Sequence, residues 1–199
     1  MDKSHPLSTL MIVRSLDINK DPFRPQEKDE EILGDETPYL SAIGALMYLA
    51  NNTQPDICFT VSLLARFNSC PTRRHWKGVK HIFRYLQGTI DMGLLYSNSS
   101  KSELISYADA GYLSDPHKAR SQTNYLFTYG GTTVSWRSMK QTIVATSSNH
   151  AEIIAIHEAS RECIRSSDNL ADLFTKALPT STFEKLRYKI GMRRLQDLK

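Results

Sequence analysis

The sequence is poor in cysteine, with only Cys58, Cys70 and Cys163 among its 199 residues. They are odd in number and widely spaced, and no C-x-x-C pair occurs, so neither a disulfide framework nor a zinc site is indicated. This pattern favours a reducing compartment. The sequence also lacks the apolar run of a signal peptide near its start and any segment long enough to span a membrane. We therefore expect an intracellular protein, cytoplasmic or nuclear, that is neither secreted nor bound to a membrane.

Acidic residues are absent from a long stretch of the first half. Six Lys or Arg and no Asp or Glu lie between Ile57 and Ile90, whereas eight acids and three bases lie between Asp17 and Glu36. The formal net charge is +4, so the distribution of charge says more than the total about a preference for polyanions. With 40% hydrophobic and 23% charged residues, the composition is that of a globular protein rather than a disordered one.

The order of apolar patterns predicts an α+β protein in three parts. Residues 1–36, with three prolines and few apolar residues, form an irregular lead-in. Residues 37–98 contain three predicted helices, each of which begins beside a proline. Residues 99–199 contain a three-stranded antiparallel meander followed by helices. In the meander, residues 111–122 form a predicted loop and Gly130-Gly131 a predicted turn.

One predicted helix, from Pro71 to Leu86, carries its basic residues in a single row. The row has the spacing i, i+4, i+7 and i+11 and consists of Arg73, Lys77, Lys80 and Arg84. A solvated helix face is one interpretation of the row, and a face that follows nucleic-acid phosphates is the other. The lack of nearby acids favours the second, because solvated faces usually mix charges of both signs. Both interpretations stay open at this point.

Three acids stand at positions where carboxylates can serve metal chemistry. Asp109 ends the short predicted strand that begins with Leu104–Tyr107, and an unpaired carboxylate there is costly unless something compensates it. Glu152 follows a predicted helix N-cap at Ser148, and Asp172 opens a later predicted helix. Taken alone, Glu152 is better explained as a surface acid near a helix N-terminus. Taken together, the three acids suggest a site for hard divalent cations and phosphate-directed chemistry.

Several short motifs occur in a fixed order along nearly the whole chain. They include PYLSAIGALMYL (38–49), QPDI (54–57), HIFRYLQGT (81–89), YADA (107–110), VSW (134–136), ATSSNHAE (145–152) and NLADLFTK (169–176). The first three resemble the segment after the reverse transcriptase palm in the Pol polyprotein of copia-type retrotransposons. The others resemble the RNase H domain of the same polyprotein. The number and order of the motifs make the resemblance specific.

The resemblance implies a fold and an activity. The first part would be a helical thumb or connection segment of reverse transcriptase, which grips a duplex without reading its sequence, and the second an RNase H-like domain. The family's RNase H holds two Mg²⁺ ions through four carboxylates and hydrolyses the RNA strand of an RNA–DNA hybrid. By motif, Asp109, Glu152 and Asp172 stand where three of those four catalytic and metal-binding carboxylates do. The basic row of the predicted helix would then contact the hybrid or another duplex.

The chain departs from the family near residues 163/164. The family continues there with several dozen residues that carry a further strand and another metal-binding Asp, whereas here Cys163 runs directly into Ile164, which indicates an internal deletion. The third metal carboxylate therefore has no counterpart, and no palm motif with paired aspartates is present. We expect a Pol fragment related to RNase H that is catalytically defective and has no polymerase activity. The alternatives are a non-catalytic nucleic-acid-binding module that uses the basic helix, residues 72–87, and a residual Mg²⁺-dependent ribonuclease H.

The deletion also has a structural consequence. In RNase H-like folds the strand that bears the first metal-binding Asp is central in the sheet. Without the later strands, this strand becomes an edge with unpaired backbone N–H and C=O groups. We therefore expect a truncated RNase H-like domain of low stability that associates with itself through the exposed sheet edge.

Overall fold

The structure is a computed structural model that describes residues 5–11, 17–34, 36–96 and 103–164. The chain divides into two compact units, Met1–Ile156 and His157–Lys199. The packing of helices and sheet described below belongs to the first unit. In the second unit, the described residues cover only the end of the last helix. The domain boundary predicted between residues 98 and 99 stays a prediction.

Three helices form where the apolar spacing predicts them. Helix α1 is Tyr39–Asn52, α2 is Cys58–Ala65 and α3 is Arg73–Gly88, with a short 3₁₀ helix at Pro55–Ile57 before α2. Helix α3 begins with a capping box, in which the Thr72 side chain accepts a helix N–H and the ring of His75 accepts the N–H of Thr72 at 3.0 Å. The start of α3 is therefore defined by paired polar groups.

The three helices share one hydrophobic core. Its buried members come from α1, α2, α3 and the 3₁₀ helix, together with Phe23 of the lead-in. Leu46, Leu64 and Val79 are fully buried, and each such side chain contributes roughly 1.5–3 kcal/mol relative to an exposed one. The Tyr39 hydroxyl donates to the carbonyl of Leu64 at 2.8 Å, so this polar group is paired inside the core.

In its described residues, 5–11 and 17–34, the lead-in contains turns and bends and packs closely on α3. The N–H of Leu33 donates to the carbonyl of Pro71 at 2.8 Å, and Ile32 forms an isolated β-bridge with Thr72. Phe23 is only 3% exposed, and the carboxylate of the buried Asp21 accepts its N–H at 2.9 Å. A segment with few apolar residues thus supplies part of the core.

The predicted antiparallel meander is confirmed. Strand β1 is Leu104–Asp115, β2 is Arg120–Tyr129 and β3 is Thr132–Lys140, and they lie in the order β1-β2-β3. The β2–β3 turn is Gly130-Gly131, with φ of 58° and 84°. A two-residue hairpin turn with both φ angles positive matches the right-handed twist of the strands, and glycine adopts it without a steric cost.

The strands are longer than predicted, and this changes the position of Asp109. Strand β1 continues beyond Asp109 to Asp115, so the prediction that Asp109 ends its strand is wrong. Most of the loop predicted over residues 111–122 is also strand, with a register shift between Gly111 and Asp115 and a positive φ of 50° at Leu113. The polar and glycine residues favour a turn locally, but pairing with β2 satisfies the backbone groups and overrides that preference.

The last described element is α4, Ser148–Ile164. Its N-cap is Ser147 rather than the predicted Ser148, because the Ser147 hydroxyl accepts the N–H of His150 at 3.1 Å. Gln141, which follows β3, donates to the carbonyl of the buried Ala151 at 3.0 Å and ties the start of α4 to the sheet. The helices predicted after residue 164 lie outside the described residues.

Substitution of two helix glycines by alanine should change stability in opposite directions. A Cβ at Gly78 of α3 would lie 2.8 Å from the ring of Phe23 and 3.0 Å from the side chain of Leu64, whereas a Cβ at Gly44 of α1 meets nothing within 4 Å. Gly78→Ala should therefore lower the free energy of unfolding by about 1–3 kcal/mol through overpacking. Gly44→Ala should raise it by up to about 1 kcal/mol through helix propensity. Urea unfolding measures both, and equal stabilisation by the two variants would contradict the packing around Gly78.

Candidate nucleic-acid interface and carboxylate positions

All four residues of the predicted basic row lie on α3. Arg73, Lys77 and Lys80 are exposed, and Arg84 is half-buried. The Lys80 ammonium lies 5.7 Å from the ring centroid of Trp76, a cation–π distance that holds the lysine stem along the helix. Within the described part of the chain, Lys77 and Lys80 form no salt bridge. These two lysines are therefore the cations of the row most accessible to an external anion.

The lead-in engages the two ends of the row. Arg73 lies 3.8 Å from Glu31, with both side chains 81% exposed, so this pair is worth little in water. Arg84 donates from Nε to the carbonyl of His5 at 2.7 Å. The residues of α3 and its immediate neighbours along the chain include no acid. The acid near the row is Glu31, which lies about forty residues earlier in the chain.

Another arginine of α3, Arg74, anchors the lead-in more firmly. Arg74 donates to both carboxylate oxygens of Glu30, at 2.8 Å from Nε and through a short contact from its terminal nitrogen. Both side chains are about four-fifths buried. A two-pronged, partly desolvated pair of this kind is stronger than an exposed one. The acids of the lead-in thus have a structural role on α3, which their composition alone did not indicate.

Asp109 lies in the interior of β1 with its side chain exposed. It is directly opposite Asn124 of β2, so the two side chains share one face of the sheet. The carboxamide oxygen of Asn124 accepts the Ser138 hydroxyl at 2.7 Å, and that hydroxyl also accepts from Gln122 at 3.0 Å. Gln122 reaches Ser62 of α2 at 3.3 Å, so the face that carries Asp109 is the one directed towards α2.

Glu152 is the fifth residue of α4, just beyond its first turn, and is half-buried. The side chain of Gln141 bridges the carbonyl of Ala151, at 3.0 Å, and the hydroxyl of Thr123, at 3.1 Å. Thr123 alternates with Asn124 along β2, so its side chain points to the face opposite the one shared by Asp109. The hydrogen bonds thus tie the start of α4 to the other face of the sheet.

The described residues do not assemble the predicted metal centre. In residues 5–11, 17–34, 36–96 and 103–164, no group of three or more His, Cys, Asp or Glu side chains could hold a metal ion. Asp109 and Glu152 are therefore not joined there by a third ligand, and Asp172 lies outside the described residues. A two-ion site needs several bridging carboxylates, which these two residues do not supply by themselves. The Mg²⁺ site stays a prediction.

A buried polar cluster between α2 and the sheet was not anticipated. Arg66, just after α2, lies 3.3 Å from the carboxylate of Asp115, and their side chains are 10% and 7% exposed. Lys140 lies 3.9 Å from the same carboxylate, and Gln122 accepts a short hydrogen bond from Arg66. The available signal was a charged residue directly after an apolar helix, but no sequence feature pairs it with the end of β1.

Among the described residues, no helix has the length and apolar character that a membrane span requires.

Comparison with known proteins finds relatives that include an effector protein and Pol polyproteins of plant transposons. Secreted RxLR effector protein 161 of Plasmopara viticola is 43% identical over 127 residues, which are 64% of this chain and 89% of that protein. The retrovirus-related Pol polyprotein from transposon TNT 1-94 of Nicotiana tabacum is 42% identical over 129 residues, or 65% of this chain. That from transposon RE2 of Arabidopsis thaliana is 35% identical over 130 residues. The match spans only 10% and 9% of these two polyproteins. No family model and no solved structure matches the chain.

Proposed function

Because this chain belongs to a family of proteins related to retrotransposon Pol polyproteins, we propose that it is a copia-type Pol fragment that binds nucleic-acid duplex through α3. It no longer cleaves RNA–DNA hybrid. The observation that carries this proposal is the pair of exposed lysines, Lys77 and Lys80, which form no salt bridge with the described residues and lie on a helix in a stretch that contains no acid.

The loss of cleavage follows from the chemistry of two-ion hydrolysis. One ion activates a water and the other stabilises the leaving oxygen, and both need carboxylates that bridge them. By resemblance, Asp109, Glu152 and Asp172 cover three of four required carboxylates, and the fourth falls in the proposed deletion. Losing a metal ligand removes most activity of such a site. Residual Mg²⁺-dependent cleavage is therefore the less favoured reading.

Duplex binding needs fewer parts. Lysines at one face of a helix can contact successive phosphates, and each neutralised phosphate releases counterions without any reading of base sequence. Arg73 joins the contact at little cost, since its exposed pair with Glu31 is worth about 0–1 kcal/mol. Arg84 is held by the carbonyl of His5 and contributes less. The expected interface is thus centred on Lys77 and Lys80.

One experiment tests both halves of the proposal. The purified full chain is mixed with a labelled RNA–DNA hybrid in Mg²⁺ or Mn²⁺ for cleavage, and in EDTA for binding across a range of salt. We expect no cleavage above that of Asp109→Asn. We expect binding whose logarithmic salt slope is smaller by about 2 in the Lys77→Gln/Lys80→Gln variant, because each phosphate contact contributes about 0.9.

The control variant for binding is Lys20→Gln/Lys28→Gln, which removes the same net charge from exposed lysines of the lead-in. It should bind with the wild-type salt slope. Cleavage that Asp109→Asn abolishes would contradict the proposed catalytic defect. An equal loss of slope in the two lysine variants would show that binding depends on net charge and not on α3.

The exposed edge of the sheet supports self-association as a further part of the proposal. Within the described sheet, β1 pairs only with β2, and Leu104, Ile105 and Tyr107 on it are 40–55% exposed. We expect concentration-dependent dimers in sedimentation velocity and a monomer for Ile105→Lys, because an edge charge opposes strand pairing. Ile143→Lys, at an exposed position outside the sheet, is the control and should still dimerise. A wild-type chain that stays monomeric at all concentrations would refute this interface.

An intracellular location is also retained as a proposal. The name of the Plasmopara viticola relative describes that protein as secreted, so the location of this chain is best tested directly. Antibody detection in lysed source cells and in their culture medium distinguishes the two cases, and finding the chain chiefly in the medium would overturn the proposal.

A further inference from the structure

A cleft of about 310 Å³ lies where α2, the lead-in and the sheet meet. This is near the lower end of the roughly 300–1,000 Å³ typical of small-molecule sites. Its lining combines charged side chains from the segment just after α2, from the β1–β2 loop and from the sheet with apolar side chains from α2, the segment after it and the lead-in. The duplex interface proposed on α3 uses none of these lining residues, so the cleft stands as a separate feature.

The charges around the cleft do not balance. Arg66, Lys118 and Lys140 line it with a single carboxylate, that of Asp115. This carboxylate is shared, because it lies 3.3 Å from Arg66 and 3.9 Å from Lys140. His117 also lines the cleft, but it is directed to the buried Asp21 at 3.2 Å. When Asp21 is counted together with Asp115, the three cations still outnumber the carboxylates, and the cleft has an excess of positive charge.

Arg66, Lys140 and the backbone that carries Lys118 have defined contacts before any ligand arrives. Arg66 is fixed by Asp115 and by a short hydrogen bond to Gln122. The loop that carries Lys118 is closed by Asp115, whose carboxylate and carbonyl accept the Lys118 N–H at 3.3 and 3.4 Å. Burial lowers the pKa of Lys140, and the nearby charges of Lys118 and Arg66 lower it further. An anion placed here would relieve that mutual repulsion.

Apolar side chains also line the cleft. Phe67 is half-buried and is stacked on His75 with ring centroids 4.0 Å apart, whereas Phe23 and Leu63 are almost fully buried and present little surface. An aromatic side chain in the same cleft as the cations suits a ligand with a flat apolar part and a phosphate. A wholly inorganic anion would leave Phe67 uncovered.

We propose that this cleft binds a nucleoside phosphate, with its phosphate on Lys118, Lys140 and Arg66 and its base against the accessible part of Phe67. The ligand is either a free nucleotide or the phosphorylated end of an oligonucleotide, since both present the same group. Ammonium and guanidinium groups make charge-assisted hydrogen bonds to phosphate oxygens, which are the stronger class. This site is independent of the duplex interface on α3.

Cys70 makes the site measurable, because its thiol is exposed and lines the cleft. A ligand in the cleft should slow alkylation of Cys70 by N-ethylmaleimide. Mass spectrometry of the peptide that contains Cys70 measures the rate. The probes are adenosine 5′-monophosphate, adenosine alone and inorganic phosphate. The variant is Lys118→Gln/Lys140→Gln, and Lys20→Gln/Lys28→Gln is its charge-matched control. Arg66 is left intact, because removing it threatens folding.

We expect the monophosphate to protect Cys70 saturably, inorganic phosphate to protect it only at higher concentration, and adenosine not to protect it. The concentration for half-protection should rise about tenfold or more in Lys118→Gln/Lys140→Gln, because two charge-assisted contacts are lost, and stay unchanged in the control. No protection by the monophosphate, equal protection by adenosine, or equal protection in both variants would each overturn the proposal. A hexanucleotide with and without a 5′-phosphate distinguishes the two sources: protection by the phosphorylated form assigns a nucleic-acid end, and protection by the monophosphate alone assigns a free nucleotide.

Discussion

Asp115→Ala should lower the free energy of unfolding by about 3–5 kcal/mol, the usual cost of leaving a buried charge without its partner. Asp115 is 5% exposed, and the side chain of Arg66 is 10% exposed. Removing the carboxylate takes the compensating charge away from the nearly buried Arg66 guanidinium and from Lys140. It also removes one of the two acceptors that close the loop at Lys118. All three effects destabilise the folded state.

Urea unfolding at pH 7 measures the effect, and two further variants test its cause. Asp29→Ala removes a charge at an exposed position of the lead-in and should change stability by no more than about 0.5 kcal/mol. Arg66→Met/Asp115→Leu removes both charges and should recover most of the loss, because a buried pair can often be replaced by apolar side chains of similar volume. If the double variant were as unstable as Asp115→Ala, packing rather than charge would be the cause.

Acidification from pH 7 to pH 4.5 should remove about 2–3 kcal/mol of stability through His75 alone. The ring is fully buried, and this burial lowers the pKa of His75 from 6.5 to about 4. Its Nδ1 accepts the N–H of Thr72 at 3.0 Å, and its Nε2 faces the carbonyl of Arg24 at 3.1 Å. The fold therefore holds the neutral ring with its proton on Nε2. A second proton, on Nδ1, would break the cap of α3.

The sign of the pH dependence of stability follows from the number of protons bound at His75 in the folded and unfolded states. Between pH 6.5 and about 4 the unfolded chain binds a proton at His75 and the folded chain does not, so lowering the pH favours unfolding. Protonation of His75 costs the folded state little stability above pH 6.5, and the cost grows as the pH falls from 6.5 to about 4. Urea unfolding of the wild type and of His75→Gln at both pH values isolates the effect, since other groups contribute equally to both proteins. Identical pH dependence in the two would show that His75 does not titrate in this way.

Local patterns were sufficient for most of the secondary structure. The i, i+3, i+4 spacing of apolar residues located α1 and α3 within one or two residues, and Gly130-Gly131 located the β2–β3 turn. These features depend on neighbours in the chain, which the sequence displays directly. The end of β1 was misplaced because pairing with β2 carries the strand past Gly111. That pairing depends on a partner strand, which local propensity does not contain.

The candidate sites divide in the same way. The position of Lys77 and Lys80 on one exposed helix face could be predicted, because helix periodicity alone places them together. The pairing of Arg73 with Glu31 could not, since it joins residues that are far apart in the chain. The motifs that resemble RNase H named Asp109 and Glu152, but their spacing along the chain does not say which face of the sheet each one reaches.

The amino-acid pattern alone thus determined the α+β class, the four described helices, the meander and the basic row, because each follows from periodicity and turn chemistry over a few residues. Only the tertiary structure decided that the acidic lead-in packs on α3 and that Arg66, Asp115 and Lys140 meet around a cleft. These contacts join distant segments whose burial is favourable only when the core of α1, α2 and α3 has brought them together. The free energy that selects them is a property of the packed molecule, and no local stretch of sequence carries it.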